Sequence, residues 1–381
     1  MLRRLTERLP GRDARRLLSR LLLPAALAAA VAARGGDGDD GGATAATTTP
    51  GTQTVPTATA PGDQGWKQVV PGGDCRCSDG SEFSFWIRKA NPRKVVLYLQ
   101  GGGACFSAKT CAPDSDLYQT RVDEGPAGKG GMFDLADERN PFADYSVVFV
   151  PYCTGDTHIG DATTKYAPGL IVRHKGYVNG TAALDRLAAA FPRANAVVVV
   201  GESAGSVAAP LYGGLVSDRL PDPRITVLAD GSGSYPDLPR TNDIIASWGA
   251  DNALPTWPEN AGPTAKRWSF PGLFIRSGRH DRKIVFARHD YAYDEEQASW
   301  YPRARIPLKD LLSRIEADET QIEDAGVNLL SYIAPGAEHT ALSDESFYTE
   351  QVGSERLVDW VTRLIERKPV DDVHCRQCRV D

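Results

Sequence analysis

The sequence lacks three features, and each absence argues against a class of protein. It has no basic excess: 43 Lys and Arg stand against 49 Asp and Glu, a formal net charge of −6, which argues against a nucleic-acid partner. It has no internal repeat, which argues against a repeat architecture. Its N-terminal apolar stretch, 21–33, is too short for a membrane-spanning helix, which needs about 20 residues.

The first 34 residues predict an export signal. Seven arginines precede the apolar stretch, which ends in small residues. A basic segment, a short apolar segment and an Ala-x-Ala-like end make up a secretory signal. An uncleaved amphipathic anchor is the alternative. Arg34 occupies the position of a lipid-carrying cysteine, so we expect a secreted or cell-envelope protein with no lipid anchor and no stable membrane insertion.

Residues 35–65 predict a disordered linker, because Gly, Asp, Thr, Ala and Pro dominate there and leave almost nothing to bury. Residues 66–381 are then long enough for a single α/β catalytic domain. This region carries 35 basic and 43 acidic residues, a net charge of −8. An acidic substrate would therefore need a local basic patch.

The seven cysteines lie at positions 75, 77, 105, 111, 153, 375 and 378. Export permits disulfide bonds. Cys105 and Cys111 flank a short loop, so we expect them to pair. The odd count leaves one thiol unpaired, and Cys153 is the candidate.

The other cysteines form two close pairs near the ends of the domain. A bridge between Cys75-x-Cys77 and Cys375-x-x-Cys378 would join these ends. A zinc site of the same four residues with His374 is an alternative, although Cys-x-Cys is an unusual opening for one. A redox dithiol at Cys375-x-x-Cys378 is another, but no βαβ pattern surrounds it. We expect no metal and no cofactor.

Apolar runs alternate with helical patterns along the domain, as a mostly parallel sheet requires. The strand candidates are 94–100, 145–151, 196–200, 225–229, 272–277 and 328–334. Several are continuous Val, Leu and Ile runs, typical of strands covered on both faces. The helix candidates are 181–191, 203–217, 308–317 and 353–367.

The most informative motif is Gly201-Glu202-Ser203-Ala204-Gly205, directly after the apolar run 196–200. A buried strand, a sharp turn with serine at its tip and a following helix resemble the nucleophile elbow of α/β-hydrolases. The glycines leave room for strand and helix to pass close together. The predicted fold is therefore an α/β-hydrolase, with a mostly parallel central sheet and helices on both faces.

Serine needs a base within hydrogen-bond reach, and that base needs a carboxylate to orient it. Asp281 follows the strand candidate 272–277, and His339 follows the candidate 328–334, so Ser203, Asp281 and His339 are the candidate catalytic triad. Asp230 also ends a strand candidate and is the alternative acid. Structural or surface positions are expected for His158, His174, His289 and His374.

The loop after the first strand candidate, Gln100-Gly101-Gly102-Gly103-Ala104-Cys105, is the candidate oxyanion hole. Glycines let backbone N–H groups face a developing oxyanion with no side chain between. The expected donors are the amides of Gly102, Gly103 and Ala204.

These pieces together resemble the pectinacetylesterase/Notum family of carboxylesterases. The matching segments are 97–105 with Cys111, Val150-Pro151-Tyr152-Cys153-Thr154-Gly155-Asp156, Gly201-Glu202-Ser203-Ala204-Gly205-Ser206 and Glu338-His339. The sequence departs from plant-like members at Ala104, where they carry tryptophan, and Asp281 matches no family motif. The resemblance implies an extracellular α/β-hydrolase that removes acyl groups from pectin or from a signalling protein.

The predicted function is an exported serine carboxylesterase that hydrolyses acyl esters, with acetyl as the expected group, on a small molecule or a glycan. A serine peptidase or amidase with the same triad is one alternative. A catalytically inactive, glycan-binding hydrolase fold is the other. A segment with several aromatic residues, 234–263, could cap the pocket or serve packing alone.

Overall fold

The computed structural model describes residues 65–122, 125–126, 130–261 and 268–379. The strands are β1 (Trp66–Val69), β2 (Phe85–Arg88), β3 (Asn91–Leu99), β4 (Tyr145–Val150), β5 (Ala162–Ala167), β6 (Leu170–His174), β7 (Ala196–Glu202), β8 (Arg224–Asp230), β9 (Val285–Tyr291), β10 (Leu329–Ala334), β11 (Gln351–Val352), β12 (Glu355–Arg356) and β13 (Val373–His374). The α-helices are α1 (Gly176–Ala190), α2 (Ala204–Arg219), α3 (Pro239–Ser247), α4 (Phe270–His280), α5 (Glu295–Ala304), α6 (Leu311–Asp324), α7 (Ser346–Thr349) and α8 (Leu357–Ile365).

Within the described residues, nine strands form one sheet in the order β1-β2-β4-β3-β7-β8-β9-β10-β13. The six neighbouring pairs from β4 to β13 are parallel, and only β1 with β2 and β2 with β4 are antiparallel. Two small antiparallel pairs, β5 with β6 and β11 with β12, lie outside it. Because the central strands are parallel, their carboxyl ends meet at one edge, where the loops that follow them converge.

Apolar layers cover both faces of the sheet. Alternate residues of β3 face opposite layers, as a strand's period of two requires: Val95, Leu97 and Leu99 join the layer of α1, α2 and α4, whereas Val96 and Tyr98 join that of α8. The predicted α/β-hydrolase arrangement, a mostly parallel sheet with helices on both faces, is confirmed.

One predicted strand, 272–277, is wrong, because these residues lie inside α4. Ser269 begins the helix: its side chain accepts a hydrogen bond from the amide of Gly272, and Pro271 occupies the first turn. Leu273, Phe274 and Ser277 are buried along one face. The capping serine and the helical spacing were the signals for a helix.

Among the strands that the prediction missed, β9 matters most for the site, because it lies between β8 and β10 in the central sheet. It carries Arg288, His289 and Asp290 in its interior, and these charged or titratable side chains interrupt the apolar run that marks a buried strand. All three are nonetheless buried, with 2%, 0% and 1% exposure. Arg288 pairs with Asp290 at 2.9 Å, and His289 pairs with Asp230 at 2.7 Å, which is how the fold accommodates them.

Three disulfides link six of the seven cysteines. Cys105 pairs with Cys111, as predicted. Cys77 pairs with Cys153, and Cys375 with Cys378. The expected bridge between the two ends of the domain and the unpaired Cys153 are therefore wrong, and the buried Cys75 is the free cysteine. The zinc alternative fails because three of its four thiol ligands are oxidised.

The predicted export signal over 1–34 and all but the last residue of the predicted linker over 35–65 lie outside the described residues. In the parts of the chain that the structure describes, no helix combines the length and apolarity that crossing a membrane requires.

Candidate active site

Ser203 lies on a sharp turn between a strand and a helix. It follows β7, and α2 begins at the next residue, Ala204. Its backbone angles, φ 51° and ψ −118°, are ones that non-glycine residues rarely adopt. The Ser203 amide donates a hydrogen bond of 2.8 Å to the main-chain oxygen of Asp230, which ties the turn to the neighbouring strand.

The glycines around Ser203 are required by close backbone approach. A Cβ atom on Gly201 would lie 2.3 Å from the main-chain oxygen of Gly205, and one on Gly205 would lie 2.0 Å from that of Leu99. Both distances are far inside van der Waals contact, so no larger residue fits without moving the backbone. The structure therefore agrees with the steric explanation of the motif, in which Gly201 and Gly205 let the strand and the helix pass close together.

His339 lies beside Ser203. It is in the loop that follows β10, and its Nε2 is 2.7 Å from the hydroxyl oxygen of Ser203. The imidazole is one-quarter exposed, so it faces both the protein and the open site. The structure thus brings together the serine and the histidine that the sequence singled out, 136 residues apart.

The carboxylate that contacts His339 is Asp294, and the choice of Asp281 as its partner is wrong. His339 Nδ1 is 2.7 Å from Asp294 Oδ2. Asp281 instead caps the end of α4, where its side chain accepts a hydrogen bond of 2.9 Å from the amide of Lys283. The physical reason is the misassigned strand: β10 has β9 as its neighbour, so the loop after β9 faces the loop that carries His339.

The sequence around Asp294 contains a pattern that predicts the start of a helix. It is the N-cap of α5, and its Oδ1 accepts a hydrogen bond of 2.8 Å from the amide of Gln297. Asp followed three residues later by Gln is a helix-start pattern. The same carboxylate therefore caps a helix with one oxygen and meets the imidazole with the other.

The electrostatics favour proton transfer at His339. Asp294 is fully buried, with 0% side-chain exposure. Burial lowers the pKa of His339, but the hydrogen bond and charge of Asp294, with the charges of Asp230 and Glu296, outweigh it and raise the pKa above its ordinary value of 6.5. The protonated imidazole is thus stabilised where a proton taken from Ser203 would reside.

The glycine loop lies next to Ser203. A Cβ atom on Gly101 would lie 2.8 Å from the Cβ of Ser203. Gly102 and Gly103 have φ of 154° and 76°, which favour glycine, and this conformation turns the peptide groups of the loop. Among the described residues, no hydrogen-bond acceptor meets the amides of Gly102, Gly103 or Ala204. These three amides remain the candidate donors to an oxyanion.

An apolar pocket of about 660 Å³, open mouth included, borders Ser203. The predicted cap segment contributes one wall of it through Tyr235, Pro236, Thr241, Ile244 and Trp248. Phe106, Phe270, Trp300, Tyr301 and Ile306 are among the residues that line the rest. The pocket therefore offers an apolar space for part of a ligand that binds beside Ser203.

One acidic group elsewhere could meet a cation: Glu319, Glu323 and Asp372 place carboxylate oxygens within 4.8 Å of one another. None of the three lines the pocket at Ser203. His158 and His174 are buried, and burial lowers the pKa of each to about 4, as befits neutral structural histidines.

Comparison with known proteins matches residues 69–244 to the pectinacetylesterase family model. The matched segment contains the glycine loop and Ser203. Asp294 and His339 lie beyond it, so their assignment depends on the geometry described above.

The curated relatives include proteins named palmitoleoyl-protein carboxylesterase NOTUM. The palmitoleoyl-protein carboxylesterase NOTUM of Schmidtea mediterranea is 30% identical over 146 residues, which cover 35% of this chain and 26% of that protein. The human protein of the same name is 26% identical over 150 residues, 38% of this chain and 30% of that one.

A third relative, the inactive palmitoleoyl-protein carboxylesterase notum1b of Danio rerio, is 27% identical over 118 residues, which cover 29% of this chain and 82% of that protein. The chain thus spans roughly a quarter to a third of the length of the planarian and human relatives.

Proposed function

We propose that this chain is a serine carboxylesterase, because residues 69–244 match the pectinacetylesterase family model and the curated relatives include Notum carboxylesterases. The observation that carries the proposal is the continuous hydrogen-bond chain from Ser203 through His339 to Asp294, with 2.7 Å at each step. The earlier triad is thereby revised, with Asp294 in place of Asp281.

The mechanism follows from these contacts. Ser203 Oγ attacks the ester carbonyl while His339 Nε2 takes the hydroxyl proton, and Asp294 stabilises the imidazolium. The amides of Gly102, Gly103 and Ala204 donate hydrogen bonds to the oxyanion. His339 then protonates the leaving alcohol, and an acyl-enzyme remains on Ser203. Water, deprotonated by His339, attacks this ester, and the acid and free Ser203 are released.

The pocket at Ser203 bears on the length of the acyl group, which the sequence alone did not determine. Acetyl was the expected group, but the pocket at Ser203 is lined by Phe106, Phe270 and Trp300, which offer more apolar surface than the methyl group of an acetyl can cover. Burial of each further CH₂ group would contribute about 0.8 kcal/mol to binding. We therefore propose acyl esters that include chains longer than acetyl; the carrier, a glycan or a smaller alcohol, is a further part of the proposal.

The two alternatives differ in a measurable way. An amidase would use the same three side chains but hydrolyse anilides as well as esters. An inactive, glycan-binding protein would hydrolyse neither, and one relative does carry the word inactive in its name. A serine, an imidazole and a carboxylate in hydrogen-bond contact favour an active enzyme.

The test is a panel of 4-nitrophenyl acetate, butyrate, octanoate and palmitate, with a 4-nitroanilide beside them. We expect ester but not anilide hydrolysis, and kcat/KM that rises from acetate to octanoate. Ser203→Ala should reduce kcat by about 10⁴-fold or more, without a change in Tm. Ser217→Ala, near the far end of the helix α2 that follows Ser203, is the matched control. Equal activity of the two variants would refute the serine mechanism.

Export to an oxidising compartment is also a proposal. It is supported by the predicted signal over 1–34 and by three disulfides, bonds that persist mainly outside the cytosol.

A further inference from the structure

The loop that carries His339 is held by two carboxylates that do not belong to the Ser203–His339–Asp294 chain. They are Glu202 and Asp230. Glu202 ends β7 and Asp230 ends β8, and the register of these parallel strands places the two residues directly opposite each other. Two acidic side chains therefore stand side by side at the carboxyl edge of the sheet, beneath the loop.

Asp230 holds the middle of the loop. Its Oδ2 accepts hydrogen bonds of 2.9 Å from the amides of both Ala341 and Leu342. Its Oδ1 meets Nδ1 of the buried His289 at 2.7 Å. Its main-chain oxygen accepts a hydrogen bond from the amide of Ser203. With 0% exposure, this residue contacts both the serine turn and the histidine loop.

Glu202 holds the two positions on either side. Its Oε1 accepts hydrogen bonds from the Thr340 hydroxyl at 2.9 Å and the Ser343 hydroxyl at 2.8 Å. Its Oε2 accepts a hydrogen bond from the hydroxyl of the buried Tyr98. Burial, with the charge of Glu202, raises the pKa of Tyr98 well above its ordinary value, so the phenol stays protonated and keeps donating.

Four consecutive residues after His339 are thus fixed, through Thr340 and Ser343 to Glu202 and through Ala341 and Leu342 to Asp230. A loop without regular structure would otherwise leave the imidazole free to move. A misplacement of about 1 Å in a reacting group can cost about 10²-fold in rate. Hydrogen bonds to a carboxylate are stronger than neutral ones, which suits them to this task.

We propose that Glu202 and Asp230 are positioning residues that act as a paired carboxylate clamp on residues 340–343 and so keep His339 Nε2 aimed at Ser203. The proposal rests on the proposed esterase function. It assigns these two residues no contact with the substrate. They act through the histidine loop, and Asp294 orients the imidazole from the other side.

The experiment removes single contacts of the clamp. Thr340→Val keeps the shape of the side chain but deletes the hydrogen bond to Glu202, and Thr340→Ser restores the hydroxyl. Asp230→Asn removes the charge under Ala341 and Leu342. Asp281→Asn is the matched control, because it makes the same chemical change away from His339. We would measure kcat and KM on the nitrophenyl esters, Tm, and the rate of Ser203 labelling by a fluorophosphonate.

We expect Thr340→Val and Asp230→Asn to lower kcat and the labelling rate by about tenfold or more, with KM within about twofold of wild type. Thr340→Ser should recover most of the loss, and Asp281→Asn should match wild type. The proposal would be wrong if Thr340→Val and Asp230→Asn lowered Tm but left kcat, calculated per labelled Ser203, unchanged. Glu202 and Asp230 would then have a structural role only.

The labelling rate separates the two proposals. If the wild-type protein hydrolyses no ester, the proposed function fails. Fluorophosphonate reactivity depends only on an activated serine, so the ratio of labelling rates between Thr340→Val and Thr340→Ser still decides the clamp. A ratio of one refutes the clamp, as would a wild-type Ser203 that the reagent does not label.

Discussion

At the residue scale, Asp294 has two tasks that constrain its side chain. One oxygen caps α5 through the amide of Gln297, and the other meets His339 and the Gln297 side-chain amide. Gln297 itself is fully buried and also donates to Asp290. A carboxylate fixed from several sides has little freedom to rotate, so it can hold the imidazole in one orientation and one tautomer.

Replacement of this carboxylate tests the revised assignment. Asp294→Asn should lower kcat by about 10³- to 10⁴-fold, because the amide can hold the wrong imidazole tautomer. Removal of the charge should also lower the pKa of His339, which Asp294 raises. Since neutral His339 is the active base, the acidic limb of kcat/KM should move to lower pH. Asp281→Asn is the control, with an unchanged rate and pH profile.

The assignment of Asp294 would be contradicted if Asp281→Asn gave the larger loss. If the acidic limb of the kcat/KM profile of Asp294→Asn stayed in place or moved to higher pH, only the claim that Asp294 raises the pKa of His339 would be contradicted.

At the element scale, the site is assembled by loops that follow adjacent parallel strands. Ser203 follows β7, Asp294 the end of β9, and His339 the end of β10. Most of these strands were predictable, because their apolar runs are continuous and local. β9 was not, since the partners that neutralise its Arg288, His289 and Asp290 lie partly on other elements.

The N-cap of α4, the helix whose residues 272–277 were predicted to form a strand, can be tested by mutation. Ser269→Ala removes the side-chain acceptor of the Gly272 amide and should lower the free energy of unfolding by about 1 kcal/mol. Activity should not change, because Ser269 does not line the pocket at Ser203. Denaturant unfolding measures the loss, and Ser269→Asp, which keeps an acceptor, should recover most of it. Equal stability of Ser269→Ala and wild type would contradict the cap.

At the scale of the whole molecule, the disulfides differ in what they join. Cys77–Cys153 spans 76 residues and ties the segment before β2 to the loop after β4. Cys105–Cys111 closes a loop only six residues apart, beside the glycine loop. In the chain-entropy description a longer closed loop restricts the unfolded chain more, so the first bridge should stabilise the protein more than the second.

This difference is measurable by guanidinium unfolding. Cys77→Ser with Cys153→Ser should cost about 4 kcal/mol, and Cys105→Ser with Cys111→Ser about 2 kcal/mol, from the loop lengths alone. Cys75→Ala is the control, because it leaves all three bridges in place and removes the free thiol. A larger loss from the short bridge would mean that local packing, rather than chain entropy, sets the order.

The sequence by itself determined what depends on local pattern. The strand–turn–helix around Ser203, the glycine loop, His339 after a late strand and the Cys105–Cys111 pair are each set by a few neighbouring residues, and all could be recognised there. Their chemistry is local because glycine conformation and chain reversal act over short distances.

Only the tertiary structure decided which distant groups meet. Asp281 follows α4 and Asp294 follows β9, and the choice between them depends on which strand lies beside β10. Likewise, Cys153 reaches Cys77 only because β2 pairs with β4. Strand order and the burial of charged pairs arise from packing between segments far apart in sequence, so no local pattern encodes them.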